Sequence, residues 1–318
     1  MMSDMENPNP YVMVQEPYRP PEIYVYQPPI PPRPRYWLHI LLFVGTIAST
    51  LFVGGMNDQA FQFFQGGHIL EGISVVVSTG WVYSAAVLAI LTSHEFGHYF
   101  TAKYYRVPAS LPYFIPFPVS LFGTLGAVIR MSPRIPNRRA LFDIAAAGPL
   151  AGLIPAIPLT YLGLTLSTTV NKANIPEGAL HFADPLLFKA LSWMALGPLN
   201  PDVEVMIHPL AYAGWVGMFV TALNLLPIGQ LDGGHITHAL FGSRSRLVAF
   251  AMFGGLLGFS LWEHTITWVP LLVLLFFFGI QHPHINDDGR LLGNVRVALG
   301  LLLGLVFATC FSLVPIWQ

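Results

Sequence analysis

Residues 78–102 read STGWVYSAAVLAILTSHEFGHYFTA. The first part of this stretch, from Ser78 to Ser93, carries no charged residue. About 20 such residues in a helix cross the roughly 30 Å hydrocarbon core of a bilayer. The run then continues into His94, Glu95 and His98. Ionisable groups inside a membrane span are costly to bury and mark function. On a helix, positions i and i+4 share one face a single turn apart. Two imidazoles at that spacing hold one zinc ion, and the glutamate beside the first reaches the water on that ion. At this composition the pattern H-E-x-x-H arises by chance in roughly 0.01 of chains. The stretch therefore predicts a catalytic metal helix inside a membrane.

The rest of the 318 residues agrees. Hydrophobic types make up 54% and charged types only 10%, against about 25% charged in soluble proteins. Mean hydropathy is +0.58. So few charges cannot coat a soluble globule, which excludes a soluble enzyme. The net charge of −1 leaves no basic face for nucleic acid. The single cysteine, Cys310, excludes an internal disulfide and any multi-cysteine metal cluster. A membrane β-barrel would alternate in segments of about ten residues, whereas these apolar runs are unbroken. The expectation is an all-α polytopic membrane protein.

Seven apolar segments suit spans: 36–56, 78–102, 139–166, 208–227, 245–262, 265–281 and 292–314. Residues 184–198 read as an interfacial helix. The first 35 residues hold 10 of the 28 prolines and read as a disordered, solvated tail, with a proline-binding partner as the alternative. This divides the chain into a tail, 1–35, and a membrane-embedded domain, 36–318, with its core motifs in 78–240. The tail lacks the character of a transit peptide or a cleavable signal. Basic residues set the orientation. With the amino terminus inside and the spans alternating, 13 of the 15 basic residues face inside. Only Lys172 and Lys189 face out. That bias predicts seven spans, a cytosolic amino terminus and an external carboxyl terminus.

Two histidines leave a catalytic zinc short of a third protein ligand. After the fourth span the chain reads Asn224-Leu-Leu-Pro-Ile-Gly-Gln-Leu-Asp232-Gly233-Gly234-His235. Pro227 and Gly229 break the helix, and Gly233-Gly234 permits a close turn. Asp232 is the only carboxylate between Glu204 and Glu263. It is read as the third ligand, with the N-cap of a helix over Gly233–Leu240 as its alternative role. Counted along their spans, His94 and Asn224 reach similar depths, about 24 and 22 Å from the outer face.

Together, His94-Glu95-Phe96-Gly97-His98 and Asn224 to Leu231-Asp232-Gly233 resemble the site-2 protease family of intramembrane zinc metalloproteases. The resemblance covers most of residues 78–300. Gly126-Ala-Val-Ile-Arg-Met131, Asn137-Arg-Arg-Ala-Leu-Phe-Asp-Ile144 and Ala147-Gly148-Pro149 resemble the plastid and cyanobacterial-like branch. There is no room for a PDZ insertion, and the tail's lack of transit character points to a bacterial-type cell membrane. The resemblance implies one Zn2+ ion held by His94, His98 and Asp232, with Glu95 as general base. It also implies that Asn224 contacts substrate. The Asn224 amide suits a peptide backbone or an oxyanion, and a bond to a neighbouring helix is its alternative. The implied substrates are single-span or membrane-anchored proteins in the lipid bilayer.

Residues 108–131 carry Pro108, Pro112, Pro116, Pro118, Gly123 and Gly126, which oppose a spanning helix. This segment reads as a re-entrant β-hairpin. Gly123 and Gly126 are candidate substrate-binding positions on a strand edge, and an inert surface loop is the alternative. His235 and His238 read as polar residues at a helix start, with contacts to metal ligands or substrate as the other option. Gly148 and Gly152, four apart, suit close helix packing. A rival function is a membrane transporter or adaptor with a structural metal. Glu95 argues against it, because a structural site needs no base.

Overall fold

The computed structural model describes residues 36–175, 181–279 and 291–317. The tail over 1–35, and His282, His284, Asp287 and Asp288, lie outside these residues. The described chain is mostly helical, with small two-stranded sheets. Four stretches, Tyr36–Gly55, Ile69–Tyr104, Arg138–Thr165 and Asp232–Trp262, are long and apolar enough to cross a membrane. The protein is a helical integral membrane protein.

Every segment read as a span contains a helix. Helix α1 is Tyr36–Gly55. A short helix, α2, covers Asp58–Gln65 and is capped by the Asn57 side chain, which accepts from the Ala60 amide. Helix α3, Ile69–Tyr104, has 36 residues and starts nine residues before the apolar run at Ser78. Glu71 in its first turn complements the positive helix end. Gly72 lies against the Phe64 ring, so α2 supports this extension.

After α3 come β1, Tyr113–Pro116, and β2, Thr124–Val128, paired antiparallel. The prolines and glycines of 108–131 thus form a hairpin rather than a span. Helix α4, Arg138–Thr165, begins at Asn137, whose side chain accepts from the Ala140 amide. Beyond it lie β3, Thr168–Asn171, β4, His181–Phe182, and α5, Leu186–Leu196. The last of these sits where an interfacial helix was expected. Strand β5, Val203–Met206, pairs with β3.

Helix α6, Pro209–Asn224, then leads into the broken segment 225–231. Helices α7, Asp232–Phe241, and α8, Ser245–Trp262, follow in near continuity. Helices α9, Val269–Phe278, and α10, Asn294–Cys310, and strand β6, Ile316–Trp317, complete the chain. Helices α6, α9 and α10, at 16, 10 and 17 residues, are shorter than the apolar segments that hold them.

Helix α3 is the hub, packed on α1, α4 and α6. Small residues permit this approach. A side chain at Gly80 of α3 would strike the Leu51 carbonyl of α1, and one at Gly55 would strike the Val76 carbonyl. The main core gathers Tyr83, Trp215 and Met218, all nearly inaccessible to solvent. Trp215 donates from Nε1 to the Ala183 carbonyl at 2.7 Å.

Basic residues at the starts of α4 and α10 tie helix ends together. Arg138 caps α7 by donating to the Ala239 carbonyl at 2.6 Å. Arg139 donates to the Leu291 carbonyl at 2.6 Å. Arg296 of α10 grips Asp143 of α4 in a fork, at 2.8 Å and 2.7 Å. The Tyr105 hydroxyl, just past α3, donates to the same carboxylate.

Candidate metal centre

His94 and His98 lie one turn apart on the face of α3 that meets α4, and both are buried. Their Nε2 atoms are 3.1 Å apart. Asp232 brings Oδ2 to 3.3 Å from His94 Nε2 and 3.2 Å from His98 Nε2. These three residues form a group able to hold a metal ion. A tetrahedral zinc ion with bonds of 2.0–2.1 Å requires donor atoms about 3.3 Å from one another. The triangle fits that spacing. Asp232 Oδ2 is buried and has no hydrogen-bond partner. An acceptor in that state is costly, and a cation at the triangle would relieve it.

Local structure prepares each donor. His98 Nδ1 lies 2.8 Å from the Ile144 carbonyl of α4. A carbonyl only accepts, so Nδ1 carries the proton and Nε2 offers its lone pair. Both imidazoles rest on glycines. A side chain at Gly148 would overlap the His98 ring, and one at Gly152 would touch His94. The pair four residues apart in α4 therefore makes room for the two imidazole rings.

Asp232 is the first residue of α7, and Leu231 rather than Asp232 holds the N-cap position. The carboxylate turns to the histidines instead. Gly233 and Gly234 explain its placement. Side chains there would strike the backbone of Leu225 and of Ile228-Gly229, so only glycines let α7 begin so close to the broken segment.

Glu95 is buried and stands outside the donor triangle. It lines a cavity of about 370 Å³ together with His94, His98, Asp232, Asn224, Gln230 and His235. Asn224 brings its amide nitrogen to 3.3 Å from His94 Nε2. His235, read from sequence as a helix-start residue, is a wall of this cavity. It lies three positions after Asp232, one helical turn on, and that spacing was the available signal. His238 faces elsewhere, 3.2 Å from the Ser245 hydroxyl.

The opposite wall is strand-like. Ala127, Val128, Ile129, Met131, Ser132 and Pro133 all line the cavity. Gly123 and Gly126 are not among its lining residues. Gly123 packs on α1 at φ +75°. Gly126, at φ +91°, lies within an irregularity in the β1–β2 register. Past β2, the Ser110 amide donates to the Arg130 carbonyl, and the Ser132 amide donates to the Pro108 carbonyl, each at 2.9 Å. Ala109 and Met131 face each other between these bonds. In antiparallel pairing this is the wide pair. The N–H and C=O of Met131 therefore point to the opposite, unpaired edge, and alternation gives Ile129 the same direction.

Comparison with known proteins follows the same lines. The family model described as peptidase family M50 matches residues 82–258, a stretch that contains both motifs. A protein of Arabidopsis thaliana named "Probable zinc metalloprotease EGY1, chloroplastic" is 33% identical over 304 residues, covering 89% of this chain and 54% of that protein. The Oryza sativa subsp. japonica protein of the same name is 35% identical, covering 89% and 51%. The chain thus spans about half the length of these relatives. A third, "Probable zinc metalloprotease EGY2, chloroplastic" of Oryza sativa subsp. indica, is 35% identical over 202 residues, covering 62% of this chain and 36% of that protein. No solved structure matches.

Proposed function

Because the chain belongs to peptidase family M50, the site-2 protease family, we propose that it is an intramembrane zinc metalloendopeptidase. Its substrates are single-span or membrane-anchored proteins, cut within or near their transmembrane segments. One observation carries this reading. Three donor atoms converge at tetrahedral spacing beside a buried carboxylate, Glu95, that is not one of them. A structural metal in a transporter or adaptor needs no such group.

His94, His98 and Asp232 would hold the ion. A zinc ion bound there would lower the pKa of a water and polarise the scissile carbonyl. The Glu95 carboxylate then takes a proton from the attacking water and returns one to the nitrogen of the leaving amine. Asn224 holds the substrate backbone or the developing oxyanion, and its amide position near His94 supports that role. A transmembrane helix satisfies its own backbone and must unwind before it is cut. The unpaired edge at Ile129 and Met131 offers an extended chain replacement hydrogen bonds.

We read the hairpin as re-entrant, inserted from the cytosolic face beside α1. The His39 ring near Pro112 and the Ser49 hydroxyl near Gly123 support this, because they follow the hairpin along α1. The seven-span count, a cytosolic amino terminus, an external carboxyl terminus and a bacterial-type cell membrane belong to the same proposal. The bias of basic residues supports the orientation.

The test is Glu95→Gln in purified, zinc-loaded protein offered a panel of single-span substrates. Cleavage should vanish while zinc stays bound at one ion per chain. Near-parental turnover in that variant would reject the mechanism.

A further inference from the structure

Non-helical backbone survives at membrane depth only where protein satisfies its polar groups. The turn at residues 117–123 meets this demand in an unusual way. Three successive carbonyls each accept from a hydroxyl on a different helix. Tyr212 of α6 donates to Leu121 at 2.7 Å. Tyr83 of α3 donates to Phe122 at 2.8 Å. Ser49 of α1 donates to Gly123 at 2.5 Å.

The donors are themselves held. The Tyr83 and Tyr212 rings stack with centroids 5.1 Å apart. Beside Ser49 and Tyr83, the Thr50 and Ser84 hydroxyls link α1 to α3 at 2.7 Å. The turn fits its slot closely. Its Phe122 ring sits 5.7 Å from the Phe219 ring. A side chain at Gly123 would come within 3.0 Å of the Ser49 and Thr50 backbone.

We infer that Ser49, Tyr83 and Tyr212 are positioning residues for peptide cleavage: they clamp the hairpin turn and so set the register of the Ile129–Met131 edge against the metal triangle. This rests on the protease reading above. The link is mechanical. From Gly123 the chain runs through β2, past the irregularity at Gly126, to Met131 only eight residues on. A strand that slips by one residue exchanges its inward and outward backbone groups. A bound substrate would then lose its pairing or present a neighbouring peptide bond to the metal. None of the three hydroxyl-bearing residues lines the metal cavity, so their effect on cleavage passes through the hairpin.

Ser49→Ala, Tyr83→Phe, Tyr212→Phe and the triple variant test the clamp, with Ser49→Thr as the variant that keeps a hydroxyl. Hydrogen exchange in lipid nanodiscs reads the turn without any substrate. The Phe117, Ser120 and Gly123 amides, which donate within the turn, should exchange about fivefold faster for each clamp bond lost. Exchange around His94 and zinc content should not change. With a single-span substrate, product masses should broaden from one cut position to several. KM should rise while kcat stays within about twofold. Ser49→Thr should restore the parental pattern. Unchanged turn exchange in the triple variant overturns the clamp. So does faster exchange with an unchanged cut position and KM. If a tyrosine variant fails to fold, Ser49→Ala against Ser49→Thr decides by the same measures. If the parent cleaves no substrate, the protease reading falls, and turn exchange still decides separately whether the hydroxyls anchor the hairpin.

Discussion

Gly148 offers the sharpest test of the metal centre. A Cβ there would lie well inside 3.0 Å of the His98 Nε2, Cε1 and Cδ2 atoms. Gly148→Ala therefore forces a retreat on the order of 1 Å, against the ~0.2 Å that a metal–ligand distance tolerates. The ring cannot give way cheaply, because Nδ1 is tethered to Ile144 one turn away on the same helix α4. If α4 retreats instead, that tether stretches with it. Either route removes or misdirects one of the three proposed ligands. Loss of a mere outer partner costs 10–100-fold in metal affinity. Zinc affinity should therefore fall by at least about 100-fold, with proteolysis lost. Gly152→Ala is the internal control. Its Cβ would sit 3.2 Å from His94 Cβ and 3.4 Å from Nδ1, which a few tenths of an ångström relieve. Its zinc affinity should stay within about threefold of the parent. Competition against a chromogenic chelator, with metal counted on the purified protein, measures both. Parental affinity in Gly148→Ala, or equal damage in the two variants, would refute the packing argument.

Asp232→Ala should weaken zinc binding and end cleavage, and unchanged zinc affinity would return Asp232 to a structural role. Chelation should lower the melting temperature, with zinc restoring it, since an ion at 100 times its Kd stabilises by about 2.7 kcal/mol. A double-mutant cycle on Asp143→Asn and Arg296→Lys, read by thermal unfolding, should give a coupling of about 1 kcal/mol. This fork is charge-assisted, but its side chains are 23% and 29% exposed. Reporters fused after residues 30 and 137 should appear cytosolic, and those near residue 175 and at the carboxyl terminus external. An external reporter at 137 would overturn the orientation.

The pairing of His94 and His98 on one helix face was legible because its evidence is local. His94 and His98 are one turn apart, and a 3.6-residue period needs no tertiary information. Asp232 was legible for a second local reason: Pro227, Gly229 and the Gly233-Gly234 pair announce a break and a close approach. What escaped notice depends on contacts between segments. Ser49, Tyr83 and Tyr212 are polar residues in three separate apolar runs. Nothing in their spacing says that they meet three adjacent carbonyls. The hairpin was legible from its prolines and glycines, but not the segment of it that faces the metal. Register arises from pairing between Pro108–Pro116 and Thr124–Ser132, and the positions of the glycines alone do not single out Ile129 and Met131. The early start of α3 was hidden because Glu71 interrupts the apolar run, and the packing of α2 on Gly72 is a tertiary fact.

The 36 residues of α3 also act as a gauge. At 1.5 Å per residue, His94 lies about 38 Å from the helix start at Ile69 and about 15 Å from its end at Tyr104. The longer arm exceeds a hydrocarbon core of about 30 Å, so a span along the membrane normal would leave the turns around Glu71 outside it. The shorter arm measures the path beside the last turns to the metal. A helical peptide covers 15 Å in about ten residues and an extended one in about five. The length of the stub left on a cleaved substrate would thus record the conformation in which the chain approached.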